Sequence, residues 1–257
     1  MTLLSVENLN IDFNKINKRL VQQVSFEIKS GESLVLLGQS GSGKTMICRA
    51  IMSLLDDKNF KISGNVLFEN RDLMKLHSKA KRKIYGGEIA FIPQNPMTAL
   101  NPSVKIGNQM EETLRLHLDI PKNEGIFHII KALKKAGLHD GACIMTKFPF
   151  ELSGGMLQRV IIAMALMVEA KLIIADEPTT ALDVVHRNAT MDEICKLKES
   201  GIAVMMVTHD FVAARKLGGK LLIMNEGKLI ERGEVSDVLQ HPKHSYTKAL
   251  IDACCLS

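Results

Sequence analysis

The residues whose types and spacing could do chemistry begin with a glycine-rich run that fits the pattern G-x-x-x-x-G-K-[ST]. It consists of Gly38, Gln39, Ser40, Gly41, Ser42, Gly43, Lys44 and Thr45. Glycines let the backbone approach phosphate oxygens closely, and the N–H groups of the loop and of a following helix converge on the anion. In this pattern Lys44 can reach the β- and γ-phosphates, and Thr45 can offer its hydroxyl to Mg²⁺. The run predicts a phosphate-binding loop, with a mere glycine and serine turn before a helix as the alternative.

The loop alone indicates a nucleotide without saying which one. A GTPase needs a guanine-reading Asn-Lys-x-Asp after the loop, and the sequence contains none there. The run Asn14-Lys15-Ile16-Asn17 lies before the loop and lacks the Asp.

Two adjacent carboxylates, Asp176 and Glu177, end the apolar run 171–175. Ligands of α/β sheets bind at the carboxyl ends of strands. Asp176 is therefore predicted to hold Mg²⁺, directly or through water, and Glu177 to polarise an attacking water. An acidic cap on a strand is the structural alternative when the pair stands alone.

Composition excludes several other classes of protein. Of the 257 residues, 46% are hydrophobic and 24% are charged, and the net charge of +5 fits a solvated surface with a slight lysine excess. No block of like charges is long enough for a nucleic-acid arm, so no nucleic-acid partner is predicted. The densest basic run, 79–83, is typical of the exposed face of a helix.

The five cysteines are scattered, odd in number and without a Cys-x-x-Cys pair, which favours a reducing compartment. The adjacent Cys254 and Cys255 could hold a metal, although a frayed terminus is the preferred interpretation. Residues 1–7 lack the pattern of a signal peptide, and no apolar stretch reaches the ~18 residues that span a bilayer. If the protein works at a membrane, we expect other chains to anchor it.

The elements that position these residues are strands alternating with helices, which favours a mostly parallel sheet covered on both faces. A helical run in the middle of the chain predicts an inserted subdomain. The predicted strands are 3–13, 21–28, 33–37, 65–68, 88–92, 171–175, 202–207 and 220–224. The predicted helices are 45–55, 104–117, 125–136, 153–167, 184–199, 211–217, 235–240 and 245–254.

The run 152–159 then reveals a resemblance to the ATP-binding cassette (ABC) ATPases, because it matches the signature motif of that family. Ser153 is a good N-cap, and the N–H groups that follow it form a second anion site. The resemblance implies that Ser153, Gly154, Gly155 and Gln158 face the ATP of a partner subunit.

The other motifs of the family follow in the expected order. Gln94 matches the Q-loop glutamine, Asp183 in Ala181-Leu182-Asp183 matches the D-loop, and His209 in Thr208-His209-Asp210 matches the switch histidine. Taken singly, His209 and Gln94 would be ordinary polar residues. Phe13 lies where the family has an aromatic that stacks on adenine, and a core phenylalanine is an equal alternative.

The resemblance covers nearly the whole chain and implies one ABC ATPase domain, 1–257, of the α/β class. It has a P-loop NTPase (RecA-like) core at about 1–92 and 163–240, an N-terminal antiparallel β-subdomain, an inserted α-helical subdomain at about 93–162 and a short helical tail at 241–257.

The resemblance also implies the cofactors ATP and Mg²⁺ and the role of each site residue. Thr45, Gln94 and Asp176 are expected on the metal. Glu177 is expected to be the general base or to orient the water, His209 to contact the γ-phosphate, and Lys44 to neutralise developing charge.

Two such subunits are expected to form a head-to-tail sandwich, in which each ATP lies between the loop of one subunit and the signature of the other. The expected partners are a second ABC ATPase in a heterodimer, two membrane permease subunits and, through them, an extracellular substrate-binding protein. The expected location is the cytoplasmic face of the membrane, as a peripheral subunit.

The segments between the motifs are similar to bacterial peptide and nickel importers, at 94–102 and at 241–250. Peptide-type subunits more often have His in place of Phe150 and Arg in place of Leu157, and they continue further past the tail. These features predict import of nickel or a related metal complex, with oligopeptide or dipeptide import as the alternative. The run 184–188 lacks a glutamine-bearing pattern frequent in the group, and Gln39 replaces a residue that is often acidic or small.

Two other classes of ABC protein are alternatives to an importer subunit. Non-transport ATPases of DNA repair or translation usually carry coiled coils, zinc modules or a second cassette, and exporters usually fuse a membrane domain to the cassette. The sequence shows one cassette with none of these additions.

Overall fold

The structure, a computed structural model, describes residues 1–180 and 184–255, without the side chains of 122, 123, 184–186, 254 and 255. Its strands are β1 (Thr2–Phe13), β2 (Lys18–Lys29), β3 (Ser33–Leu37), β4 (Phe60–Phe68), β5 (Arg71–Asp72), β6 (Ile89–Ile92), β7 (Leu172–Asp176), β8 (Ala203–Thr208), β9 (Lys220–Asn225) and β10 (Lys228–Glu234). Its helices are α1 (Lys44–Ile51), α2 (Ser78–Ile84), α3 (Ile106–His117), α4 (Lys122–Lys135), α5 (Gly141–Thr146), α6 (Gly154–Met167), α7 (Val184–Glu199), α8 (Phe211–Leu217), α9 (Val235–Gln240) and α10 (Ser245–Cys255).

The chain forms two compact units, one of 1–76 with 198–257 and the other of 77–197. The predicted helical subdomain, about 93–162, falls within the second unit, and its boundaries stay a prediction. Among residues 1–180 and 184–255, no helix has the length and apolar character needed to cross a bilayer.

The first unit begins with an antiparallel sheet in the order β2-β1-β4-β5. Its buried face includes Leu4, Leu9, Ile11 and Phe68, none of which is exposed to solvent. Strand β4 is longer than the predicted 65–68, because its first residues pair with the far end of β1. The local alternation of apolar and polar residues cannot reveal such a pairing, since the pairing joins distant parts of the chain.

Strand β3 lies at the centre of the first unit's parallel strands and pairs with β8 on one side and β9 on the other. Every residue of β3 and β8 is buried, as expected for parallel strands covered on both faces. Leu37 pairs with Thr208, so the loops that follow β3 and β8 start side by side at one edge. β10, which is not among the predicted strands, is antiparallel to β9.

The second unit contains the parallel pair β6 and β7, in register from Ile89 with Leu172 to Ile92 with Ala175. Helices α3, α4, α5 and α6 pack against one another, and α6 also contacts β6. The short helix α5 was not predicted. It begins where the Asp140 carboxylate accepts a hydrogen bond from the backbone N–H of Cys143 at 3.2 Å, a cap that offsets its lack of length.

The tail helix α10 is attached to β10 through Glu231. The Glu231 carboxylate accepts hydrogen bonds from the backbone N–H groups of Lys243 at 2.7 Å and His244 at 3.1 Å. Burial alone would raise the pKa of Glu231, but the hydrogen bonds outweigh it and the pKa lies below the ordinary value of 4.5. The ionised carboxylate therefore stabilises the start of α10.

We predict that Glu231→Gln loosens the tail, because the two N–H groups lose a charged acceptor, at a cost of about 1 kcal/mol. Since the folded pKa is depressed, the stabilisation is present above the ordinary glutamate pKa and is lost as the pH falls through the folded value. Hydrogen exchange of the amides of 243–255 should quicken in the variant at neutral pH. Glu226→Gln, in an exposed turn of the same unit, is the matched control. Equal protection in wild type and Glu231→Gln would contradict the attachment.

Candidate active site

The loop that follows β3 packs too tightly for side chains at two of its glycines. A Cβ on Gly38 would collide with the carbonyl oxygen of Met224. A Cβ on Gly43, whose φ is 102°, would lie 2.8 Å from the carbonyl oxygen of Leu20. Glycine at these positions lets the neighbouring strands approach the backbone of the loop closely.

The polar groups of this loop fit a phosphate chain. Lys44 is only 3% exposed, and its ammonium donates to the carbonyl oxygens of Gly38 at 2.8 Å and Gln39 at 2.9 Å. The cation thus lies across the loop. The Ser42 hydroxyl is buried and has no hydrogen-bond partner in the part of the chain that the structure describes. A fixed cation and an orphaned donor suit an anion with several oxygens.

His209 follows β8, and the pairing of β8 with β3 sets it at the same edge as the loop. Its side chain is exposed to solvent. The next residue, Asp210, caps α8 by accepting hydrogen bonds from the N–H groups of Val212 at 2.7 Å and Ala213 at 3.2 Å. The cap fixes the backbone on one side of His209, and the strand fixes it on the other.

In the second unit, the parallel pairing of β6 and β7 sets Gln94 and the acid pair at one edge. Asp176 is 4% exposed and Glu177 is 9% exposed. The Gln94 amide nitrogen lies 3.5 Å from Oε2 of Glu177, and the Thr180 hydroxyl donates to the same oxygen at 2.9 Å. Thr180 was not among the predicted site residues, and its only signal in the sequence is its place three residues after Glu177.

The backbone of Glu177 has φ of 48°, in the left-handed region that residues other than glycine seldom adopt. Such a conformation costs on the order of 1–3 kcal/mol and persists where the surroundings enforce it. Glu177 comes directly after a buried strand, and strained residues of this kind cluster at functional sites.

The residues expected on the metal offer oxygen donors of the kind that Mg²⁺ prefers: the hydroxyl of Thr45, the carboxylate of Asp176 and the amide oxygen of Gln94. Thr45 belongs to the first unit, and Asp176 and Gln94 belong to the second. The chemistry of this donor set therefore fits the ion.

The signature residues begin α6. The Ser153 hydroxyl accepts a hydrogen bond from the N–H of Met156 at 3.3 Å, which confirms the predicted cap. Ser153 and Gly154 are exposed, and a Cβ on Gly154 would meet nothing within 4 Å, so this helix start is open to a ligand. Gln158 differs, because it is 1% exposed and its amide nitrogen has no partner among the described residues. Its contact with a partner's ATP stays a prediction.

Phe13, at the end of β1, is half-buried, and its ring centroid lies 5.1 Å from that of Phe60. This contact is compatible with both predicted roles, adenine stacking and core packing. The D-loop residues 181–183, with Asp183, lie outside the described residues, and so do the side chains of Cys254 and Cys255.

We predict that Lys44→Ala weakens ATP binding about 100-fold, because the loop loses the only side-chain ammonium that its own sequence carries. Titration with a fluorescent ATP analogue measures the change. Lys58→Ala removes an exposed lysine from the same unit and should bind as wild type. Equal affinities for Lys44→Ala and Lys58→Ala would show that the loop does not hold the phosphates.

The chain is similar to several known proteins. The ABC transporter family model matches residues 21–180, more than half of the chain. The chain is 39% identical to the dipeptide transport ATP-binding protein DppD of Haemophilus influenzae, over 98% of this chain and 77% of DppD. It is 36% identical to the metal-staphylopine import system ATP-binding protein CntD of Staphylococcus aureus strain Mu50, over 98% of this chain and 93% of CntD.

Among solved structures, the ATP-binding cassette MJ0796 bound to ADP and Pi superposes with a TM-score of 0.78 at 28% identity, covering 91% of this chain and 99% of that one. The cbiO1 subunit from Clostridium perfringens, part of the ABC transporter complex cbiONQ, superposes with a TM-score of 0.79 at 26% identity, covering 93% and 91%. These likenesses confirm the P-loop NTPase fold with its antiparallel β-subdomain and helical region. The chain therefore belongs to the ABC transporter family, as an ATP-binding and ATP-hydrolysing subunit of the importer type.

Proposed function

We propose that the chain hydrolyses ATP with the residues of its loop, acid pair and switch histidine, and that hydrolysis drives import. The observation that carries this proposal is the buried Lys44 ammonium, held across a loop whose Ser42 hydroxyl has no hydrogen-bond partner among the described residues. A buried hydroxyl without a partner is costly, and an anion with several oxygens would satisfy it.

ATP would be held by residues 38–45, and Mg²⁺, held by Thr45, Asp176 and Gln94, would supply charge neutralisation at the β- and γ-phosphates. Glu177 accepts the proton of the attacking water or orients that water. His209 contacts the γ-phosphate from the edge that it shares with the loop, and Lys44 stabilises the charge that develops on the phosphate oxygens.

The open start of α6 supports the proposal that catalysis needs two subunits. Ser153 and Gly154 are exposed at the N-terminus of this helix, where N–H groups attract anions, whereas Gly155 behind them is buried. We infer that they complete the ATP site of a second, different ABC ATPase, with Asp183 at the interface between them. Loss of the γ-phosphate would then release the pair and convert hydrolysis into motion.

We predict that Glu177→Gln abolishes hydrolysis and keeps ATP binding, because the amide retains the shape of the side chain but cannot take a proton. A subunit pair should then be trapped when ATP is added, which size-exclusion chromatography measures. Glu199→Gln, an exposed substitution of the same type, is the control and should hydrolyse as wild type. Wild-type turnover by Glu177→Gln would contradict the proposed role of Glu177 in hydrolysis.

The subunit would sit at the cytoplasmic face of the membrane, bound to two permeases that receive cargo from an extracellular binding protein. Two classes of cargo have support. Metal-complex import is supported by the likeness to CntD, and dipeptide import by the likeness to DppD, at 36% and 39% identity. Nickel stays the metal that Phe150 and Leu157 favour in the sequence, and these relatives do not single it out.

The cargo can be decided by uptake in a strain lacking the gene. We expect loss of uptake of either radiolabelled nickel or a labelled dipeptide, restored by the wild-type chain and not by Glu177→Gln. Loss with nickel alone would establish the metal-complex importer, and loss with the dipeptide alone the peptide importer. Unchanged uptake of both would exclude both cargo classes.

A further inference from the structure

We propose that Thr180 is a positioning residue whose hydroxyl holds the carboxylate of Glu177 in the orientation that hydrolysis needs. The inference rests on the proposed role of Glu177 and extends it to a residue that no motif assigned. It follows from the hydrogen bonds around this carboxylate.

Two side chains meet Oε2 of Glu177, and they do so at different distances. The Thr180 hydroxyl lies at 2.9 Å, which is ordinary for a hydroxyl donor, whereas the Gln94 amide nitrogen lies at 3.5 Å, the far limit for a hydrogen bond. The backbone N–H of Thr180 also donates to the carbonyl oxygen of Glu177 at 3.2 Å. Thr180 therefore closes the turn after Glu177 through its backbone and its side chain together.

The backbone of Glu177 explains why such a support is needed. Strand β7 ends at Asp176, so Glu177 lies just beyond the ladder that holds its neighbours, and its φ of 48° is unfavourable for a side chain with a Cβ. Pro178 follows and has no N–H to donate. The hydroxyl and the N–H of Thr180, three residues further along the chain, both donate to Glu177.

Gln94 cannot provide this support alone, because its amide has a second predicted task. If its oxygen serves the metal, the same side chain must respond to the arrival and departure of nucleotide. Thr180 has no such task and can hold the carboxylate through the whole cycle. Because the two residues have different roles, we expect that loss of the Thr180 hydroxyl slows the chemical step without weakening ATP binding.

The test compares Thr180→Val with Thr180→Ser in the full chain, purified together with its partner subunits. Valine keeps the branched shape and removes the hydroxyl, whereas serine keeps the hydroxyl. We expect kcat to fall about tenfold in Thr180→Val, the scale of one hydrogen bond to a charged group, with KM for ATP within about twofold of wild type. Thr180→Ser should recover most of kcat.

The control is Thr146→Val, which should match wild type. Thr146 is exposed, and among the contacts described for it, its hydroxyl bonds only the Cys143 carbonyl.

Three outcomes would overturn the inference: wild-type kcat in Thr180→Val, an equally low kcat in Thr180→Ser, or a rise in KM that accounts for the loss. Thermal melting of each variant separates a folding defect from slow chemistry, and a melting temperature lowered in step with kcat would also count against a positioning role. Glu177→Gln in the same assay tests the proposed function separately. If Glu177→Gln is inactive and Thr180→Val is normal, only the role of Thr180 fails, whereas an active Glu177→Gln removes the proposed function itself.

Discussion

The parallel pairing of β3 with β8 is the constraint on which the nucleotide site of the first unit depends. Because Leu37 is opposite Thr208, the proposed phosphate-binding loop and His209 leave the sheet at the same edge. Both strands are wholly buried, so their side chains pack against the core on both faces of the sheet. The apolar core therefore sets the geometry of the chemistry.

In the second unit, the parallel pairing of β6 and β7 likewise brings site residues to one edge. Their register sets Gln94 near Asp176 and Glu177, and the carboxylate of Glu177 receives hydrogen bonds from Gln94 and Thr180. The strained backbone of Glu177 shows that its position is imposed by the surroundings rather than by its own preference. An acid that must act on one water molecule benefits from such an imposed position, because orientation supplies part of the rate.

The signature helix contributes differently, since it offers open backbone groups rather than a side chain with acid or base character. Ser153 uses its hydroxyl to cap the helix, and the exposed Gly154 leaves room in front of the first N–H groups. Gln158 in the same motif is buried. The motif thus combines residues suited to a ligand with one that lies inside the unit.

The sequence by itself determined the family, the loop at 38–45, the acid pair and the cap at Ser153, because each depends on a few neighbouring residues and on a strand or helix that local periodicity reveals. It also located most strands and helices, although the predicted β4 was too short and β5, β10 and α5 were not predicted. Only the tertiary structure decided which strands are neighbours, and hence that His209 shares an edge with the loop and Gln94 with Glu177. It alone showed that Thr180 donates to Glu177 and that Gln158 is buried. Strand pairing, side-chain direction and burial are set by contacts between distant parts of the chain. The local spacing of residues in the sequence therefore does not reveal them.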